Sequence, residues 1–130
     1  MIIVAGEALI DRIIQPGGRE VAAPGGGPFN TARTIGRLGV AVAFLGRLST
    51  DRSGTALRTA LADDGVDLGW VVSTDDPTTE AIADLDAHGA ASYRFRLDGT
   101  AAPGLEARDV LAAMGSDPEA VHLGSLGLTV

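Results

Sequence analysis

Cysteine is missing from the sequence altogether, and aromatic residues make up only 4% of it. Without cysteine there is no disulfide, no thiolate metal site and no Cys nucleophile. With so few rings, a core is expected to rest on Val, Leu, Ile and Ala. Positive charge is also scarce: 10 Lys and Arg stand against 17 Asp and Glu, for a net charge of −7 and an isoelectric point near 4.6. That balance argues against a nucleic-acid partner, which needs clustered basic residues. No apolar run approaches the roughly 20 residues of a membrane span, so no membrane partner is expected. The opening Met1-Ile2-Ile3-Val4-Ala5-Gly6 lacks the basic start of a signal peptide. These absences lead to the expectation of a soluble, cytoplasmic domain.

What is present suits one domain. The chain has 130 residues, 45% of them hydrophobic, enough for a real core. Its 18 glycines gather at apparent turns and form no repeat. Ile2 to Ala5 is an apolar run ending at Gly6, as expected of a buried strand. Leu9 to Gln15 is extended, Pro16-Gly17-Gly18 breaks it, and Glu20 to Ala23 returns as a hairpin partner. Pro28 to Leu38 reads as a helix with Phe29, Ala32, Ile35 and Leu38 on one face, stopped by Gly39. Val40 to Leu45 is the next buried strand. A second helix runs from Asp51 to Asp63, capped by Thr50 or Asp51, with Leu57 and Leu61 facing inward.

Strand–helix–strand–helix order with continuous apolar strands predicts a parallel sheet covered by helices. The middle of the chain breaks the order. Thr79 to Asp86 and Ser92 to Leu97 read as a second hairpin, with Tyr93, Phe95 and Leu97 on one face and Arg94 and Arg96 on the other. Glu106 to Met114 is a third helix and Val121 to Leu123 a further strand. The expected fold is therefore α/β, a parallel sheet with flanking helices plus inserted hairpin strands at about 8–23 and 79–97. The final stretch, Gly124 to Val130, is apolar and uncharged and follows directly on a strand. A parallel sheet expects a covering helix there, so the C-terminal half of the fold is expected to be missing from this chain.

Four features could carry chemistry. Pro24-Gly25-Gly26-Gly27-Pro28-Phe29-Asn30 lets a ligand approach the backbone at a helix start, and Asn30 offers both a donor and an acceptor to hydroxyl groups. The plain alternative is a flexible turn. The stretch is neither a Walker loop nor a dinucleotide fingerprint. Asp11 shares a strand face with Leu9 and Ile13, where a carboxylate is costly unless it is paired or binds something. It would accept from vicinal hydroxyls, face water at an edge, or pair with Arg12 or Arg33. Arg96 could reach a ligand under the hairpin, or could simply be solvated. His122 ends a predicted strand, where open α/β sheets place ligands, or is a structural histidine. Neither His122 nor His88 has metal-ligand spacing, and no activated nucleophile is evident.

In ordered series, these motifs resemble the first half of the ribokinase-like (PfkB) carbohydrate kinases, most of all their fructokinase-type members. The series comprises Gly6-Glu7-Ala8-Leu9-Ile10-Asp11, Gly25 to Ala32, Arg37-Leu38-Gly39-Val40, Leu45-Gly46-Arg47-Leu48 with Asp51 and Gly54, Asp64-Gly65-Val66, Pro77-Thr78-Thr79 and His122-Leu123-Gly124-Ser125. Two positions depart from the pattern: Ser49 stands where Gly is usual, and Gly27 where Ala or Lys is common. The resemblance implies ATP-dependent phosphorylation of a sugar hydroxyl, on fructose or a related ketose, with a ribose or nucleoside kinase as the nearest enzyme alternative. A non-catalytic sugar-binding or dimerisation module is the alternative outside enzymes. Asp11, Gly25, Gly26 and Asn30 would hold the sugar, Arg96 would reach in from a hairpin lid, and Phe95 and His122 are further candidates. The lid strands would pair two copies into a homodimer. The complete enzyme would use ATP and Mg2+. The family's catalytic Asp segment has no counterpart here, so this chain alone is expected to hold no catalytic residue, bind no cofactor and be inactive.

Overall fold

The computed structural model describes residues 1–128; Thr129 and Val130, the last two residues of the apolar ending, lie outside the described residues. Its centre is β1, Ile2–Ala5, which pairs in parallel with β4, Val42–Leu45, on one side and with β9, Ala120–Leu123, on the other. A central parallel strand is covered on both faces, which explains its unbroken apolar sequence. Alternation divides its side chains. Val4 packs with Phe29, Ala32, Val42, Phe44, Leu57 and Leu61 on one face, and Ile3 and Ala5 pack with Ala43, Leu45 and Ala113 on the other.

The first face is covered by α1, Gly27–Arg37, and α2, Arg52–Asp63; the second by α3, Ala107–Met114. Although aromatics are few, Phe29 and Phe44 are the largest fully buried side chains. The aliphatic core expected from composition is therefore built around two rings, each stabilising by roughly 1.5–3 kcal/mol through burial. Helix α1 starts one residue before Pro28, and the expected face of the helix is one residue too long. Leu38 caps the C-terminus and is 75% exposed.

Between β1 and α1 the chain leaves the core and returns. It runs out along β2, Leu9–Ile14, and back along β3, Glu20–Gly25. A second excursion forms β7, Glu80–Leu85, and β8, Ala91–Arg96. The two expected hairpins join into one four-stranded sheet, because β2 and β7 pair in parallel from Ile10↔Glu80 to Ile14↔Asp84. Two short parallel strands, β5, Arg47–Ser49, and β6, Val72–Thr74, were not expected. With three residues apiece they show no readable periodicity. Two short 3-10 turns, at Ala102–Gly104 and Leu126–Leu128, complete the structure.

Asp51 ties these layers together. It caps α2 by accepting from the Gly54 N–H at 2.7 Å, and it also accepts from the Thr78 N–H at 2.8 Å and the Thr78 hydroxyl at 2.6 Å. Thr78 lies just before β7, so one carboxylate joins the core helix to the root of the small sheet. Burial works against its charge, but the bonds from Thr78 and Gly54 outweigh it and hold its pKa below the ordinary 3.8. A depressed pKa contributes stability that is fully present above 3.8 and is lost as pH falls through the lower, folded-state value. Asp51→Ala is expected to cost roughly 2 kcal/mol in urea unfolding at pH 7. The difference from the parent protein should shrink when the same experiment is run below pH 3.8.

Candidate functional site

A cleft of about 430 Å³ lies where the small sheet meets the core. It forms because β1 ends at Ala5 and feeds β2 through Gly6, while β3 ends at Gly25 and feeds α1. Both crossings happen at the same end of the core sheet. Ligands of open α/β folds lie outside the carboxyl ends of the strands, and this cleft has that position. Glu7, Gly26, Gly27, Asn30 and Ser125 line its core side. Leu9, Asp11, Ala81 and Phe95 line the side of the small sheet.

The register explains which side chains arrive. Asp11 pairs with Ala81, and Ala81 with Phe95, so the three form one row across β2, β7 and β8 and face the same way. Ile13, Ala83 and Tyr93 form the next row on that face. Residues between them face the opposite way. Arg12 accordingly turns from the cleft and pairs with Glu80 at 2.7 Å and Glu20 at 3.4 Å. Arg33 is held by Asp64 and lies 5.3 Å from the centre of the Phe29 ring. Neither cation expected as a partner reaches Asp11, which has no ion-pair partner among the described residues. Burial pushes the Asp11 carboxyl above its ordinary 3.8.

Beneath Asp11 lies Gly25. A Cβ there would sit 2.0 Å from Asp11 Oδ2, so the carboxylate occupies the room that a side chain would need. At Gly26 the backbone takes a φ of 110°, a region that favours glycine, and the residue leads into α1 without a side-chain cap. The Asn30 N–H donates to the Gly26 carbonyl at 2.9 Å, which closes the first helical turn. Its side chain is exposed at the cleft. The arrangement offers a carboxylate acceptor, an amide and a stretch of backbone open to close approach. It suits a small polyhydroxylated ligand.

Four of the seven residues singled out from the sequence, Asp11, Gly26, Asn30 and Phe95, line the cleft, and a fifth, Gly25, lies buried against Asp11. The other two lie elsewhere. Arg96 lies in the row Ile10, Glu80, Arg96, on the face opposite Phe95, and donates to Glu80 at 3.0 Å. His122 stands in register with Val4, on the α1 side of the core sheet and outside the cleft. The segment after β9 reaches the cleft through Ser125 instead. Glu7 and Ser125 were missed as site residues. Glu7 is 4% exposed, and its carboxylate accepts from the Ser125 N–H at 2.9 Å and the Ser125 hydroxyl at 2.7 Å. The position of Glu7 just past a strand end was the signal available for it. Among the described residues, no group of three or more His, Cys, Asp or Glu side chains gathers as a metal site.

Known proteins share both the sequence pattern and the fold of this chain. Residues 1–126 match the family described as pfkB family carbohydrate kinase. A fructokinase of Rhizobium leguminosarum bv. trifolii is 38% identical over 132 residues, covering 98% of this chain and 40% of that protein. The crystal structure of a fructokinase from Xylella fastidiosa superposes with a TM-score of 0.83 at 35% identity, over 94% of this chain and 41% of that one. A fructokinase of the same organism solved with bound ATP gives 0.82 at 33% identity, over the same shares. The chain thus spans about two-fifths of the relatives it matches.

Two substitutions test the site without any ligand. In Gly25→Ala the new methyl must displace the Asp11 carboxylate, the far end of a flexible side chain. A small loss in Tm and a relocated Asp11 side chain in a crystal structure are the expected result. Asp11→Asn works on stability. A pKa raised by folding means that ionised Asp11 costs stability above 3.8, so the variant should melt at or above the parent at pH 7. Its advantage should vanish as pH falls below 3.8.

Proposed function

Because this chain belongs to the pfkB family of carbohydrate kinases, we propose that the cleft is the acceptor-sugar site of an ATP-dependent kinase acting on fructose or a related keto-sugar. The observation that carries the proposal is Asp11: a carboxylate with no cationic partner, held over a glycine, facing a small cleft. Its oxygens accept from neighbouring hydroxyls of the sugar. Asn30 orients a further hydroxyl, and the missing side chains at Gly25, Gly26 and Gly27 let the loop pack close against Asp11, Glu7 and Ser125, which holds its backbone at the cleft wall. Phe95 and Ala81 cover the ring from the small sheet and exclude water. The relatives named fructokinase favour a ketose over ribose or a nucleoside.

The reaction forms one bond and breaks one. The oxygen of a primary hydroxyl attacks the γ-phosphorus of ATP, the bond from that phosphorus to the β–γ bridging oxygen breaks, and ADP leaves. The hydroxyl proton passes to a base. The proposal gives this chain the acceptor site and the lid, and gives the base, together with the Mg-ATP site, to sequence outside residues 1–130. ATP and Mg2+ supply the phosphoryl group and the neutralisation of its charge. The small sheet acts as the lid. Its site face also carries Ile13, Val21 and Tyr93, which are 38%, 43% and 70% exposed. An apolar row of that kind is suited to pairing with the lid of a second copy.

The test is a coupled phosphotransfer assay over a panel of sugars and nucleosides with the whole gene product that carries this sequence. Turnover on fructose or a related ketose is expected. Asp11→Ala should lower kcat/KM by about a hundredfold or more, as for loss of two charge-assisted hydrogen bonds. Residues 1–130 alone should give no turnover. A whole protein inactive on every sugar and nucleoside would refute the proposal.

A further inference from the structure

The strongest unassigned feature is the buried carboxylate behind the cleft. Glu7 is 4% exposed and follows directly on the end of β1. Its two oxygens accept from two groups of one residue, Ser125, which is 118 positions away. Burying a carboxylate is costly, and the cost is offset only where its lone pairs are met by donors. Holding two strands together does not require a carboxylate, since apolar side chains of this size would pack as well. A carboxylate supplies two acceptors in one plane and no donor, and here both face the turn that leaves β9.

The glycine loop adds a second observation. A Cβ on Gly27 would lie 2.9 Å from the Ser125 Oγ and 3.8 Å from Glu7 Oε1. A Cβ on Gly26 would lie 2.7 Å from the Glu7 carbonyl oxygen. Glu7, Gly27 and Ser125 all line the cleft. Three chain segments, the exits of β1 and β9 and the start of α1, therefore meet around one carboxylate. The Ser125 hydroxyl occupies the room that a side chain at position 27 would take.

We propose that Glu7 is a positioning residue: its carboxylate holds Ser125 against Gly27, so that the core-side wall of the cleft is formed before a ligand arrives. Gly27 and Ser125 are consequently coupled. A methyl at position 27 forces the Ser125 hydroxyl to rotate away from Glu7. If the hydroxyl is already absent, the same methyl meets the carbon at position 125 and Glu7 Oε1, whose present distances of 3.7 Å and 3.8 Å are ordinary contacts. The functional part of this inference rests on the reading of the cleft as an acceptor-sugar site.

A double-mutant cycle on the whole gene product tests it, with Gly27→Ala, Ser125→Ala and the pair, each measured for KM, kcat and Tm. Each single substitution should raise KM for the sugar about tenfold, as for the loss of one hydrogen bond to a charged group, with a smaller change in kcat. The pair should be no worse than Ser125→Ala alone, in KM and in Tm. Glu7→Leu, which removes both acceptors at similar size, should raise KM at least as much as Ser125→Ala, and Glu7→Gln should restore much of the loss, because its amide oxygen still accepts from the Ser125 N–H while its amide nitrogen donates to the Ser125 hydroxyl oxygen. Independent, additive effects of the Gly27 and Ser125 changes would overturn the coupling. A Glu7→Leu protein that melts lower with an unchanged KM would reduce Glu7 to a structural role. If the parent protein turns over no sugar, the acceptor-site reading fails by itself, and the coupling is still decided by additivity in Tm.

Discussion

Three stretches of backbone approach one another very closely at the end of β1, and the cleft exists because they can. A Cβ on Gly6 would fall 1.9 Å from the Gly124 carbonyl oxygen, and one on Gly26 would fall 2.7 Å from that of Glu7. Side chains at either position would push the β9 exit or the glycine loop outward. The rest follows from that convergence. The chain leaves the core at Gly6 to build the small sheet, returns at Gly26 to start α1, and leaves a gap between sheet and core bordered by backbone. Stability comes from elsewhere, from Phe29, Phe44 and the aliphatic side chains around β1, and from Asp51 at the junction of α2 with β7.

Register then sets the chemistry of the gap. Within β2, Asp11 faces the cleft and Arg12 faces away, where Glu80 and Glu20 hold it. A one-residue slip would exchange them and put a guanidinium in the cleft. The ladder of five paired positions between β2 and β7 guards against that slip. The result is a carboxylate left without a cation in partly desolvated surroundings. Such an arrangement lowers stability and persists where a ligand completes it. The raised pKa of Asp11 is the thermodynamic trace of that condition.

The local features were legible in the sequence. Caps, breakers and the 3.6-residue and two-residue periods located the three helices and both hairpins, because those signals act over a few residues. Asp11 and the glycine run were found in the same way, as a carboxylate on an apolar strand face and a helix start stripped of side chains. What escaped depends on distant partners. The parallel pairing of β2 with β7 joins segments 70 positions apart, as Ile10 with Glu80, and nothing in either hairpin announces it. Arg96 was assigned to the cleft although alternation already set it opposite Phe95, and its true partner, Glu80, is fixed by the β7–β8 register. The Glu7–Ser125 pair spans 118 positions, and although Glu7 stands just past a strand end, nothing local pairs it with Ser125.

A crystal structure of the protein with fructose bound decides whether Asp11, the glycine loop and Asn30 hold a sugar in the cleft. The sugar is expected between Phe95 and the loop at Gly25 to Gly27, with two hydroxyls donating to the Asp11 carboxylate and another meeting the Asn30 side chain. A sugar bound elsewhere, or one in the cleft that leaves Asp11 without a ligand hydroxyl, would contradict that expectation.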